Sequence, residues 1–200
     1  MGYFEAALVV YLRELYYPGG FTFPLTIIPE RIIIIELVRE FSTMVMLAAV
    51  AAVAGKKFWE RFGYFIIIFG VWDIFYYIWL KATLNWPSSI FDFDILFLIP
   101  LPWIAPVIAP VLISVLMVVC GLVIIKLYAR GLAFKPALAS WVLAITATII
   151  ILYSFLHDIE AGLYQDYPQP YSYWFLGIGI ILYVVSFVIA GRRSKIIPEL

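Results

Sequence analysis

The chain reads as an all-α polytopic integral membrane protein, a bundle of five transmembrane helices with an amphipathic N-terminal helix and a short re-entrant or interfacial segment. Three observations lead there. Of its 200 residues 66% are hydrophobic and only 13% charged, with a mean hydropathy of +1.05, more apolar surface than a water-soluble domain can hide. Five stretches reach the roughly 20 largely apolar residues that a spanning helix needs. The charges are also sorted along the chain. Nine of the 13 Lys and Arg residues lie in three short segments, Lys56, Lys57 and Arg61, then Lys126, Arg130 and Lys135, then Arg192, Arg193 and Lys195. Asp92, Asp94, Asp158, Glu160 and Asp166 occupy the intervening loops, and only Glu60 and Glu199 among the acids fall in or beside the basic segments. Lys and Arg are retained on the cytoplasmic side during insertion. The expectation is therefore a multi-pass protein of the cell (plasma or inner) membrane, with its acidic loops outside and its C-terminus cytoplasmic.

Taken in order, the elements form a single membrane domain over residues 1–200. Residues 1–20 place Phe4, Leu8, Tyr11, Leu12 and Leu15 at helical spacing beside Glu5, Arg13 and Glu14, an interfacial helix by charge and length, with a sixth short span as the alternative. The first span, 29–54, opens with Pro29 in a first-turn position and stops at Gly55 and Lys56-Lys57. The second, 58–84, ends at Asn85-Trp86-Pro87. Residues 90–99 are apolar apart from Asp92 and Asp94, too short to cross, and so re-entrant or at the surface. Pro100, Pro102, Pro106 and Pro110 announce an extended entry and a bent first turn for the third span, 103–129. Pro136 opens the fourth, 136–158, and the fifth covers 173–191. Alternating these spans from an outside start puts every basic segment inside.

Several function classes fall away. Thirteen basic and 13 acidic residues give zero formal net charge, so there is no basic patch for nucleic acid. The partners expected are the lipid bilayer and other membrane subunits. Cys120 alone forms neither an intramolecular disulfide nor a thiolate cluster and reads as a small buried hydrophobe. The segment Met1–Glu5 lacks the basic region of a secretory signal. Trp59, Trp86, Trp103 and Trp174 fall near helix ends, as an aromatic belt requires. Gly177-x-Gly179 inside an apolar helix, and Ala48, Ala51, Ala52 and Gly55 at near-helical spacing, read as close-packing faces.

Chemistry is sought where charge is embedded against the cost of hydrocarbon, about 3 kcal/mol or more near the bilayer centre. Glu36 and Glu40 are one helical turn apart, with Arg39 beside them and Thr43 continuing their face. Asp73 lies close to the middle of its span and is the most deeply placed charge. Lys81 follows two turns outward, and His157 and Asp158 end the fourth span. These seven, Glu36, Arg39, Glu40, Asp73, Lys81, His157 and Asp158, are the ligand or proton site candidates. All but Asp73 fall in the outer half, and the inner half is nearly uncharged, the pattern of a polar funnel open outward and sealed inward. The opposing reading makes them buried ion pairs that fix helix register.

No motif names a catalytic residue, a metal site or a cofactor. One histidine cannot supply the paired axial ligands of a b-type haem, and Ser154, His157 and Asp158 are wrongly disposed on one helix for a hydrolytic triad. The function expected is an outward-facing polar pocket that binds or transfers a small ligand, lipid headgroup, quinone or proton, as a single protein or as a subunit of a larger complex. Two alternatives stand beside it. One is an intramembrane lipid-modifying enzyme, with His157 and Asp158 as acid and base and Glu36 and Glu40 as metal ligands. The other is a scaffold subunit without chemistry, whose face of Ala48, Ala52 and Gly55 is buried against another chain.

Overall fold

A computed structural model describes residues 1–99, 101–164 and 166–193, and the backbone of 195–196. Pro100 and Glu199 lie outside the described residues, as does the side chain of Lys195. The described chain is all-α in class. It forms α1 (Gly2–Tyr16), α2 (Glu30–Ala54), α3 (Phe58–Leu84), α4 (Ile108–Ala129), α5 (Leu138–Leu156), α6 (Ile159–Leu163) and α7 (Tyr173–Arg192). Four short strands are interleaved, β1 (Phe93–Phe97), β2 (Trp103–Pro106), β3 (Leu132–Ala133) and β4 (Lys195–Ile196). Four helices, α3, α4, α5 and α7, are long and apolar enough to cross a membrane, which is the composition of a multi-pass membrane protein. The fifth expected span corresponds to α2, which has 25 residues but carries Glu30, Arg31, Glu36, Arg39 and Glu40 in its first half.

The frame is an antiparallel pair, α3 against α4. Gly63, Ile66, Gly70, Tyr77 and Leu80 are buried on α3, and Pro110, Ser114, Gly121 and Ile124 on α4. These positions recur at intervals of three, four and seven, the spacing that keeps one seam of a helix facing a partner. Small residues let the backbones approach. A Cβ built on Gly70 would stand 2.5 Å from the Ser114 carbonyl oxygen, and one on Gly121 would stand 2.6 Å from the Gly63 carbonyl. Asn85, at φ 54°, ends α3 in the left-handed conformation that asparagine tolerates.

A second antiparallel pair, α5 and α7, meets at Gly179, whose Cβ would lie 2.4 Å from Ile151 Cγ1. The Ser186 hydroxyl donates to the Ser140 carbonyl at 2.7 Å in the same interface. Nothing lies within 4 Å of a Cβ on Gly177, so only Gly179 of that motif answers to close packing. On α2 the buried stripe is Glu40, Thr43, Leu47 and Ala51, while Ala48 and Ala52 are exposed. The helical period therefore turns Ala51, rather than its small neighbours, toward the rest of the chain.

Two stretches differ from the sequence expectation. Residues 93–106 form an antiparallel hairpin pairing Phe93 with Pro106 and Ile95 with Ile104, so the helix expected from 103 begins at Ile108. Pro102, Pro106 and the β-branched Ile104 favour extended backbone there. The hairpin buries Ile104 and Ala105 and joins the two helix pairs, with Ala105, Ala109, Ile151, Phe155 and Leu176 in one core. The second difference is α1. A Cβ on Gly2 would stand 3.0 Å from the Trp72 carbonyl oxygen, the Tyr3 and Trp79 rings meet at 5.1 Å, and the Arg13 guanidinium lies 3.7 Å from the centroid of Trp86. Hence α1 runs beside the second half of α3 in the same direction for about 20 Å. The face turned to α3 carries Gly2, Ala6 and Arg13, with Ala6 buried against Tyr77 and Leu80, while Phe4, Leu8, Tyr11 and Leu15 of the apolar stripe stay exposed on the outside of the helix.

The chain ends up with two chemically distinct ends. The α2–α3 turn, the α4–α5 loop and the end of α7 gather the basic segments at one of them. There Trp59 meets Phe134 at 5.2 Å and Trp141 at 5.8 Å, and β3 pairs with β4. The α1–α2 segment, the hairpin and α6 occupy the other.

Candidate functional site

Away from the basic end, a cavity of about 570 Å³ opens between α1, α2, α3 and the hairpin. Its walls are largely apolar, with Val9, Leu12, Ile32, Leu37, Leu96 and Leu98 among them. Each neighbouring element adds charge. Helix α1 contributes Glu5 and Arg13, α2 contributes Glu36, Arg39 and Glu40, α3 contributes Asp73, and β1 contributes Asp94.

These groups are joined in defined pairs. Arg13 Nη2 donates to Asp94 Oδ1 at 2.9 Å, and both side chains are buried. The Arg13 guanidinium lies 4.3 Å from the centroid of Phe21 and 3.7 Å from that of Trp86, in the corner made by two rings that meet nearly at right angles, a cation held against π systems. Arg39 donates through Nε to Glu36 Oε2 at 2.7 Å and also pairs with Glu5 across the α1–α2 contact. The Leu98 amide donates to both carboxylate oxygens of Glu40, at 3.1 and 3.0 Å. The Ser114 hydroxyl donates to Asp73 Oδ2 at 2.8 Å, placing Asp73 both in the α3–α4 seam and on the cavity wall.

Of the seven sequence candidates, the structure gathers Glu36, Arg39, Glu40 and Asp73 around this one space and puts the other three elsewhere. Lys81 Nζ donates to the carbonyl oxygens of Pro87 at 2.8 Å and Asn85 at 3.3 Å, closing the C-terminal end of α3. His157 is exposed with its ring against Tyr153, and Asp158 accepts from the Gln169 amide. Ser154 is engaged with the Ile151 carbonyl at 2.7 Å and the Tyr171 hydroxyl at 2.9 Å. Burial pushes the Tyr171 hydroxyl up to about 12, against the pull of its bond to Ser154. Among the described residues no three His, Cys, Asp or Glu side chains group closely enough to hold a metal ion.

Sequence reasoning missed Glu5, Arg13, Asp94 and Trp72 as cavity residues. Arg13 and Asp94 each interrupt an apolar run, and the two are 81 positions apart, so nothing local shows that they meet. Asp92, two residues from Asp94, is different in kind. It accepts from the Ser88 amide and hydroxyl and the Ser89 amide. Burial raises its carboxyl, but these bonds outweigh that and hold it below the usual aspartate range. It is a turn-forming residue.

Set against known proteins, the chain matches no protein-family model, no curated protein and no solved structure.

Proposed function

We propose that this is a plasma-membrane protein of five spans whose outward cavity binds a small amphiphilic ligand taken up from the outer leaflet or the space beyond it. In this reading α2 is the fifth span, the hairpin is a re-entrant segment that pairs its own backbone groups, and the basic end faces the cytoplasm. The observation that carries it is the cavity. Its 570 Å³ falls within the range of about 300–1,000 Å³ usual for small-ligand sites, and its apolar walls with a few convergent polar groups are the usual lining. Charge at this depth is costly, and a bundle fixed only by ion pairs has no need of open space between them.

His157 and Asp158 lie outside the cavity, so a lipid-modifying enzyme using them as acid and base draws no support from the geometry. The test is native mass spectrometry of protein extracted gently in its own lipid, beside Leu37→Trp, which fills the cavity from α2. A small molecule that copurifies with the parent chain and drops at least tenfold in occupancy in Leu37→Trp is the expected result. Equal spectra for the two proteins overturn the reading.

A further inference from the structure

The cavity's own charges are already spoken for. Arg13 is matched by Asp94, and Arg39 by Glu36 and Glu5. Glu40 and Asp73 hold only neutral donors, the Leu98 amide and the Ser114 hydroxyl. Five carboxyl groups thus line a space with two guanidinium groups, both of them paired. An anionic ligand would enter a low-dielectric site that offers no free countercharge.

Unmet hydrogen bonding on the cavity wall comprises one carboxylate oxygen, Asp94 Oδ2, and two donors that call for a neutral acceptor. Arg13 Nη1 and Trp72 Nε1 are buried N–H donors without a partner, on residues only 6% and 9% exposed, and both residues line the cavity. Buried donors are rarely left unpaired, because the lost hydration is not recovered. Trp72 also lines a second, mainly apolar groove of about 320 Å³ formed with Met1, Tyr3, Leu47, Val50, Ile68 and Phe75. The indole therefore stands where a polar chamber and an apolar bed share a wall.

Resting on the pocket reading above, we infer that the ligand is a neutral amphiphile whose carbonyl or hydroxyl oxygens accept from the donors Arg13 Nη1 and Trp72 Nε1, with its hydrocarbon tail in the groove beside Trp72. Neutral oxygens satisfy such donors without adding to the excess of carboxylate. A phosphate headgroup supplies the oxygens but brings charge that nothing in the site balances. Two sources carry the right chemistry, the ring carbonyls of an isoprenoid quinone and the ester or hydroxyl oxygens of a diacylglycerol.

The test measures binding of three probes to the purified full chain in nanodiscs of uncharged lipid, by thermal shift and native mass spectrometry. The probes are a short-tailed benzoquinone, dioleoylglycerol and dioleoyl phosphatidic acid, the last two sharing their acyl chains and differing in the anion. At least one neutral probe binds, and phosphatidic acid binds at least tenfold more weakly. Binding of the quinone alone assigns the ring carbonyl, and of dioleoylglycerol alone the glycerol oxygens. Trp72→Phe keeps the ring against Phe69 and Phe97 and removes the N–H, so affinity for the neutral probe falls about fivefold, the worth of one hydrogen bond. The inference is overturned if phosphatidic acid binds as tightly as the tighter of the two neutral probes, or if Trp72→Phe melts normally and binds that neutral probe unchanged. Failures separate cleanly. Phosphatidic acid binding that Leu37→Trp abolishes leaves the pocket standing and removes only the neutral ligand, whereas three probes that all ignore Leu37→Trp remove the pocket.

Discussion

At Gly70 the α3–α4 contact leaves no room for a methyl group, since a Cβ there would meet a backbone carbonyl at 2.5 Å and neither helix can give way locally. That carbonyl belongs to Ser114, whose hydroxyl holds Asp73, so the close approach sets the position of a cavity carboxyl as well as the seam. Gly70→Ala is expected to lower stability by about 1–3 kcal/mol through overpacking. Gly177→Ala meets open space and gains helix propensity, so it should not lower stability at all. Thermal melting of both variants in one detergent checks the contrast, and a Gly70→Ala protein that melts with the parent would show that the helices are farther apart than described. The sequence reading picked out Gly177 and Gly179 because they stand close together. It passed over Gly63 and Gly70, seven residues apart on α3, and Gly121 on α4, because their partners lie on another helix and their spacing carries meaning only once that helix is placed opposite.

Among the elements, the long apolar helices were the most readable part of the chain, because length, hydropathy and breakers act locally. Helix α3 matches its expected limits at both ends, Pro29 stands immediately before α2, and α5 falls within the span that Pro136 opens. The hairpin and α1 were not readable, because tertiary contacts decide both. Residues 93–97 pair with a strand beyond a proline-rich turn, and α1 docks on α3 through Gly2, Ala6 and Arg13 while its large apolar side chains stay exposed. The ion pair between α1 and β1 is the strongest mark of that docking. With side-chain exposures of 8% for Arg13 and 3% for Asp94, removing one partner leaves the other as an uncompensated buried charge, at a cost of about 3–5 kcal/mol. Arg13→Met and Asp94→Leu are each expected to destabilise by that order. The double variant Arg13→Met/Asp94→Leu should recover most of the loss, because two apolar side chains in contact need no countercharge. A double-mutant cycle by chemical unfolding reads the coupling. Additive losses would mean that the two residues act separately and that α1 is not held down through β1.

Over the whole molecule, the sorting of charge seen in the sequence becomes a sorting in space. Helices α3 and α4, and then α5 and α7, return the chain so that the three basic segments meet at one end. The cavity with Glu36, Arg39, Glu40 and Asp73 lies toward the other end. The sequence carried this much because alternation of spans is a counting argument that needs no packing. It could not tell which embedded charges share a space, since Lys81 turns to the carbonyls of Asn85 and Pro87 and His157 to Tyr153, and neither is among the residues that line the cavity. The expectation most exposed to test is that α2 crosses, because its first half carries five charged residues and the cavity depends on them being held within the membrane. Single cysteines on a Cys120→Ser background, probed in intact cells with a membrane-impermeant thiol reagent, separate the cases. Thr26→Cys, just before α2, and Asp166→Cys, between α6 and α7, should label without lysis. Lys57→Cys, beyond the other end of α2, should label only after the cells are opened. If Thr26→Cys and Lys57→Cys label alike, α2 does not cross. The cavity would then have to be an interfacial cleft on a four-span bundle, open to water along α2 and without the depth that makes its charges costly.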